Sequence, residues 1–175
     1  YQVDEEQAER VAVTAVQLLG QCGPAWKIDQ TFFEPLLRWA ACLHEIGLDI
    51  SHDGYQRHGA YIAENANMPG FPRAEQRLLA YLIENQRRQF STRLKSSLPR
   101  GWRRSAMRLA ILLRVAVLLN RSRNSLDSSA LRINVDKALI KLEFDPVWLA
   151  DNPLTVADLE REQEYLASTK YRLSY

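Results

Sequence analysis

The sequence predicts a mainly α-helical protein, with a helical bundle over residues 1–124 followed by a small α+β appendage over residues 125–175. Three observations predict it. Apolar residues recur at i, i+3 and i+4 in successive segments up to Asn120, the period of a helix with one buried face. Beyond Asn124–Ser129 the period falls to two: Leu131, Ile133 and Val135, then Ile140, Leu142 and Phe144, alternate with polar residues as strands do. The hydrophobic fraction of 46% over 175 residues is ordinary for a globular chain and sufficient for a core.

Each element has its own signal. Asp4 with Gln7 forms a capping pair, and Glu5 and Glu6 suit the positive end of a helix dipole. Val11, Ala15, Leu18 and Leu19 give this first helix its apolar face, and Gly20 with Cys22-Gly23-Pro24 is expected to stop it. A second helix takes Pro35 in its first turn, where a missing N–H costs little, and runs through Leu36, Leu37, Ala40, Ala41 and Leu43 to His44, Glu45 and Gly47. After a short loop, Leu48–Gly54, a third helix spans Tyr55–Asn65 with His58, Tyr61 and Ile62 along one side. Asn67–Phe71 is a loop closed by Pro69-Gly70. The fourth helix, about Pro72–Arg88, turns Leu78, Leu79, Leu82 and Ile83 inward. Gln89–Trp102, with Pro99 and Gly101, is a connection. The fifth helix, about Arg103–Asn120, is apolar nearly all round and so must be central. In the appendage a hairpin turns near Asp136-Lys137, Asp145-Pro146 and Asn152-Pro153 break the chain, Thr155 and Asp158 cap a last helix to about Thr169, and Tyr171–Tyr175 forms a final strand. Trp26 and Trp39 read as packing residues, and Trp148 as an anchor of the appendage on the bundle.

Cys22 and Cys42 lie far apart without metal-like spacing, which predicts reduced thiols and a cytoplasmic protein, free or peripheral to a membrane. No run of about 18 apolar residues is present, so no transmembrane segment is expected. The chain opens at Tyr1, just ahead of a helix start signal and without an initiator Met or signal peptide, which predicts a piece of a longer protein.

Charge is segregated. Arg73–Arg123 holds 13 of the 23 Lys+Arg but only two of the 21 Asp+Glu, while both flanks are acidic. A one-signed surface of this kind faces an anion. The exposed candidates are Arg87, Arg88, Arg93, Lys95, Arg100, Arg103, Arg104 and, from the preceding helix, Arg57. Arg108 and Arg114 lie on the apolar helix and are equally well read as buried pairs with Glu45 or Glu84. His44-Glu45 with His58 offers imidazole and carboxylate across two helices, as a bundle would bind a divalent metal, but three donors are few.

The series Leu43-His44-Glu45-Ile46-Gly47, Arg57-His58-Gly59-Ala60-Tyr61-Ile62 and Met68-Pro69-Gly70-Phe71, with Asp4–Val11 and Leu37–Cys42, resembles the C-terminal region of the Ppx/GppA family of exopolyphosphatases and guanosine pentaphosphate phosphohydrolases, and more the exopolyphosphatase branch. The resemblance implies an HD-like helical domain with a smaller C-terminal domain, and catalytic actin-like domains with their Mg²⁺ upstream. The metal-ligand positions of an HD phosphohydrolase then fall near Gln7, at His44-Glu45, at His58, near Asn85 and near Val117, at least three of them wrong in type. The expectation is a vestigial core without a metal centre, catalytic residues or a cofactor of its own. Its role would be to bind inorganic polyphosphate through Arg57, Arg87, Arg88, Arg93, Lys95, Arg100, Arg103 and Arg104, for the catalytic domains of the same chain and within a homodimer. Two other classes stay open. One is a nucleic-acid-binding helical module that stacks bases on Trp102, Phe90 and Tyr81, against which stands the lack of a helix-turn-helix pattern. The other is an active metal-dependent nucleotide phosphohydrolase using His44, Glu45 and His58.

Overall fold

The computed structural model describes residues 3–123 and 130–175. Among these residues, seven α-helices and three strands follow in order, α1 (Glu5–Trp26), α2 (Gln30–Cys42), α3 (Tyr55–Asn65), α4 (Arg73–Glu84), α5 (Arg103–Leu119), β1 (Arg132–Asp136), β2 (Leu139–Glu143), α6 (Pro146–Asp151), α7 (Pro153–Leu166) and β3 (Arg172–Ser174), with 3₁₀ turns at Ile46–Asp49, Lys95–Ser97 and Arg100–Trp102. The expected mainly α bundle with a small α+β part is what forms. The change of character at Asn124–Ser129 lies outside the described residues.

Several boundaries differ, each for a physical reason. Asp4 caps α1 by accepting from the Gln7 N–H at 3.0 Å. The helix does not stop at Gly20 or Gly23-Pro24 but continues to Trp26 and ends in a left-handed residue, Lys27. Pro24 removes the bond to the Gly20 carbonyl, yet both residues are exposed, so water can take that carbonyl. The reward for continuing is Trp26, 3% exposed, whose Nε1–H donates to the Lys137 carbonyl at 3.0 Å. Likewise α2 begins earlier than expected, at Gln30 with Asp29 as its cap. Pro35 is therefore interior, with the orphaned carbonyl of Thr31 at the exposed surface. That helix ends at Cys42, so His44 and Glu45 lie in a turn before a 3₁₀ turn, Ile46–Asp49. The fourth helix ends at Glu84 rather than Arg88, and α7 starts at Pro153 with no side-chain cap from Thr155.

Two of the resemblance-bearing glycines, Gly47 and Gly59, bring two segments together backbone to backbone. A Cβ on Gly47 would lie 2.0 Å from the Tyr55 carbonyl oxygen and 2.6 Å from the Gly59 nitrogen. The Ile46–Asp49 turn thus seats directly on α3, a separation that a side chain would forbid.

Helix α5 is the axle of the core: from Leu109 to Leu119 every residue is buried. The sheet has order β1-β2-β3, with β1 and β2 antiparallel (Ile133 opposite Leu142) and β3 parallel to β2. It lies on α1, where the Gln21 side chain accepts from the Ile133 N–H at 2.8 Å and donates to the Leu131 carbonyl at 3.2 Å. One side-chain amide therefore covers part of the outer edge of β1. Helices and sheet share one hydrophobic cluster. Trp148 stacks on Phe144 at 5.4 Å, and Trp39 lies beside Phe71 at 5.3 Å. Both cysteines are free, and burial pushes the Cys22 thiol up to about 12. No helix among the described residues is long and apolar enough to cross a membrane.

Candidate functional site

A helix N-terminus carries partial positive charge and ordinarily attracts Asp or Glu. At α5 the sequence does the reverse: Arg103 and Arg104 occupy its first turn, no acid is present there, and Trp102 supplies no side-chain cap. Arg103 is aimed by the preceding loop, donating to the Leu98 carbonyl at 3.2 Å and to the Ser96 carbonyl at 2.9 Å. Arg104 is exposed. Such a local conflict is the mark of a site built for something other than stability.

A cleft of about 770 Å³ opens at this helix head. Its cations come from three places: Lys27 after α1, Arg100, Arg103, Arg104 and Arg108 around the start of α5, and Lys137 at the hairpin turn. Asp136 is the one acid among the residues that line it. Arg108 is fixed there, its guanidinium donating to the Trp26 carbonyl at 2.8 Å and to the Tyr171 hydroxyl at 3.1 Å. A second cavity of about 640 Å³ shares Arg103 and Arg104 and adds Lys95 and Lys170 at its rim, over Tyr81, Phe90, Met107 and Tyr171.

The predicted binding residues therefore divide. Lys95, Arg100, Arg103 and Arg104 gather at these cavities. Arg93 is clamped between Glu84 at 2.9 Å and Glu64 at 3.0 Å. Arg88 pairs with Asp53 at 3.1 Å, Arg87 lies over the Tyr55 ring at 4.8 Å, and Arg57 is exposed on α3. Lys27, Lys137 and Lys170 were not singled out in the sequence. The fold brings them in through the Trp26–Lys137 hydrogen bond and the turn before β3, neither of which leaves a local signal. Of the stacking candidates, Trp102 is engaged with Phe32 at 5.1 Å and Phe33 at 6.1 Å, and Tyr81 is buried.

Arg108 and Arg114 are structural, but not through Glu45 or Glu84. Arg114, 1% exposed, pairs with both carboxylate oxygens of Glu162 and donates to the carbonyls of Asn85 and Arg88. Glu45 is taken by Arg123 at 3.1 Å, and Glu84 by Arg93.

Of the expected metal-ligand positions, Gln7, His44, Glu45 and Asn85 are engaged by other protein groups. His44 is 1% exposed, its Nδ1 lies 2.6 Å from the Ala41 carbonyl oxygen, and its Nε2 stands 3.8 Å from the Glu45 carboxylate. Gln7 donates to the Asn120 carbonyl at 2.9 Å, and Asn85 accepts from the Ser91 N–H at 2.7 Å. The Arg123 guanidinium bridges Asp4 and Glu45. Among the described residues no three His, Cys, Asp or Glu side chains gather as a metal would require. Glu45, the one carboxylate among those positions, is thus shared with a guanidinium.

Burial holds the His44 ring below its ordinary pKa of 6.5, although the Ala41 carbonyl and Glu45 oppose the shift. Between the lowered value and 6.5 the unfolded chain binds a proton that the native state does not, so stability rises with pH through that window and is full above it. Urea midpoints measured against pH should therefore fall below 6.5, and His44→Gln should flatten that part of the curve.

The model of the family described as Ppx/GppA phosphatase, domain III, matches residues 1–163. A protein of Aeromonas hydrophila subsp. hydrophila named guanosine-5'-triphosphate,3'-diphosphate pyrophosphatase is 38% identical over 164 residues, covering 94% of this chain and 33% of its own length. The protein of that name from Vibrio atlanticus is 37% identical over 162 residues, covering 93% of this chain and 32% of its own. The chain spans about a third of the length of these relatives. The expected family holds, while the relatives carry the name of the guanosine compound rather than of the exopolyphosphatase branch.

Proposed function

Because the chain belongs to the Ppx/GppA phosphatase family as its domain III, we propose that it is a phosphate-chain-binding module, serving catalytic domains that correspond to the length of the relatives it does not span. Those domains would hydrolyse the phosphoanhydride bond. The ligand class common to both branches is a linear chain of phosphates, inorganic or carried on a nucleoside. The observation that carries this reading is the pair of arginines in the first turn of α5, at the centre of a cleft with six cationic residues and one acid. Guanidinium groups offer paired donors to phosphate oxygens. Binding of this kind is driven by counterion release and weakens with salt.

Anisotropy titrations of labelled long-chain polyphosphate at several salt concentrations test it. Arg100→Ala with Arg104→Ala should weaken binding several-fold and lessen the salt slope by roughly 0.7 for each phosphate no longer neutralised, taking the single-strand value. The same change produced instead by Arg87→Ala with Arg88→Ala, and none at the α5 head, would move the site away from the cleft.

A further inference from the structure

We propose that Lys27 and Lys137 are anchoring cations of the cleft, kept in a backbone conformation that opposes stability because their charges hold the ligand. The inference deepens the phosphate-binding reading and rests on it. Among the described residues, four that are not glycine have a positive φ: Lys27 (54°), Arg88 (57°), Arg123 (55°) and Lys137 (53°). All four are basic. The left-handed region suits Gly and, less well, Asn or Asp, and a long side chain there is disfavoured. Residues held in it collect where a structure serves a ligand or a switch. Two of the four have a partner within the chain: Arg88 pairs with Asp53, and Arg123 with Asp4 and Glu45. Among the described residues no ion pair with a carboxylate holds Lys27 or Lys137, and both are exposed on the lining of the cleft.

Local preference does not account for these two lysines. Lys27 follows the last turn of α1, where a cation would meet the helix dipole without a left-handed backbone, yet that turn holds no basic residue. Lys137 stands in the two-residue turn between the paired Asp136 and Leu139, a place where Asn, Asp and Gly prevail. One buried residue brings the two together. Trp26 directly precedes Lys27, its Nε1–H donates to the Lys137 carbonyl at 3.0 Å, and the Arg108 guanidinium lies over its ring at 5.1 Å. The lysines thereby share one cleft with Arg100, Arg103 and Arg104. A phosphate chain laid there meets cations from the end of α1, the head of α5 and the hairpin at once, and the two lysines are the ones whose backbone would be better served by another residue.

The test reads stability and binding on the same variants of the 175-residue chain. Lys27→Gly and Lys137→Gly release the backbone, and each should raise the melting temperature by about 2–4 °C. Each should also weaken binding of inorganic tripolyphosphate, followed by calorimetry, about fivefold, the effect of one exposed charge. Lys27→Asn and Lys137→Asn tolerate the same backbone without the flexibility of glycine, and should give the same pair of results. Lys137→Arg keeps the charge and should keep the affinity. Lysine variants that gain stability at unchanged affinity, with Arg104→Ala still weakening tripolyphosphate, would overturn the lysine anchor and keep the phosphate cleft. Glycine and asparagine variants that lose stability would also overturn it, since the backbone would not then oppose the fold. Indifference of tripolyphosphate to the lysine variants and to Arg104→Ala alike would overturn the two readings together.

Discussion

Arg114→Ala is expected to destabilise the protein by about 3–5 kcal/mol, the cost of leaving a buried charge without its partner. Arg114 is wholly enclosed: Glu162 takes its guanidinium bidentately, and Phe90 and Tyr165 lie 4.2 and 5.4 Å from it. Its remaining donors satisfy the Asn85 and Arg88 carbonyls, in the irregular chain where α4 gives way to the Gln89–Trp102 connection. The substitution therefore orphans a buried carboxylate and two carbonyls at once. Urea unfolding followed by circular dichroism measures the loss, and a drop in melting temperature of roughly 10 °C should accompany it, at about 2–4 °C for each kcal/mol in a chain of this size. The paired change Arg114→Met with Glu162→Leu should recover much of the deficit, because apolar residues of similar volume replace buried ion pairs at little cost. A loss below about 1 kcal/mol for Arg114→Ala would show that the pair does not hold the fold.

Gly47→Ala should be at least as damaging, exceeding about 4 kcal/mol and leaving little soluble protein. The added Cβ would sit 2.0 Å from the Tyr55 carbonyl oxygen, and that obstacle is backbone at the head of α3 rather than a side chain that can swing aside. The turn Ile46–Asp49 would have to lift from α3, exposing Ile46 and unseating the adjacent His44. Gly20→Ala is the matched control: nothing lies within 4 Å of a Cβ there, and the residue is in mid-helix. It should stabilise by about 0.4–1 kcal/mol. Thermal melts of the two variants side by side decide the point, and a Gly47→Ala protein that melts like the wild type would refute the close-packing account.

Much of the architecture was legible from period alone. The all-round apolarity of Arg103–Asn120 marked the central helix, and the alternation at Leu131–Val135 and Ile140–Phe144 marked the hairpin. Helix ends were the weak point. Proline and glycine rules describe an isolated helix, whereas Pro24 and Pro35 are tolerated because the carbonyls they orphan face water. In the first case distant groups, Lys137 and Arg108, also reward burial of Trp26. The binding surface was half legible for a related reason. Charge density along the chain singled out Arg100, Arg103 and Arg104, but it could not tell a free cation from Arg93, whose carboxylate partners Glu64 and Glu84 lie on two other helical segments. Nor could it find Lys27, Lys137 or Lys170, which stand alone in sequence and meet only through the fold.

The buried pair also sets an order on biosynthesis. Ribosomes deliver the chain from its N-terminus at about 5–20 residues per second. Arg114 thus precedes its counterion by 48 residues, and Arg108 precedes Tyr171 by 63. In that interval α1 to α5 have been made, yet their central helix holds a guanidinium with no carboxylate to meet it. A nascent chain halted before Glu162 would therefore have a reason to stay loose, and the bundle would lock only after its final helix and strand had been translated.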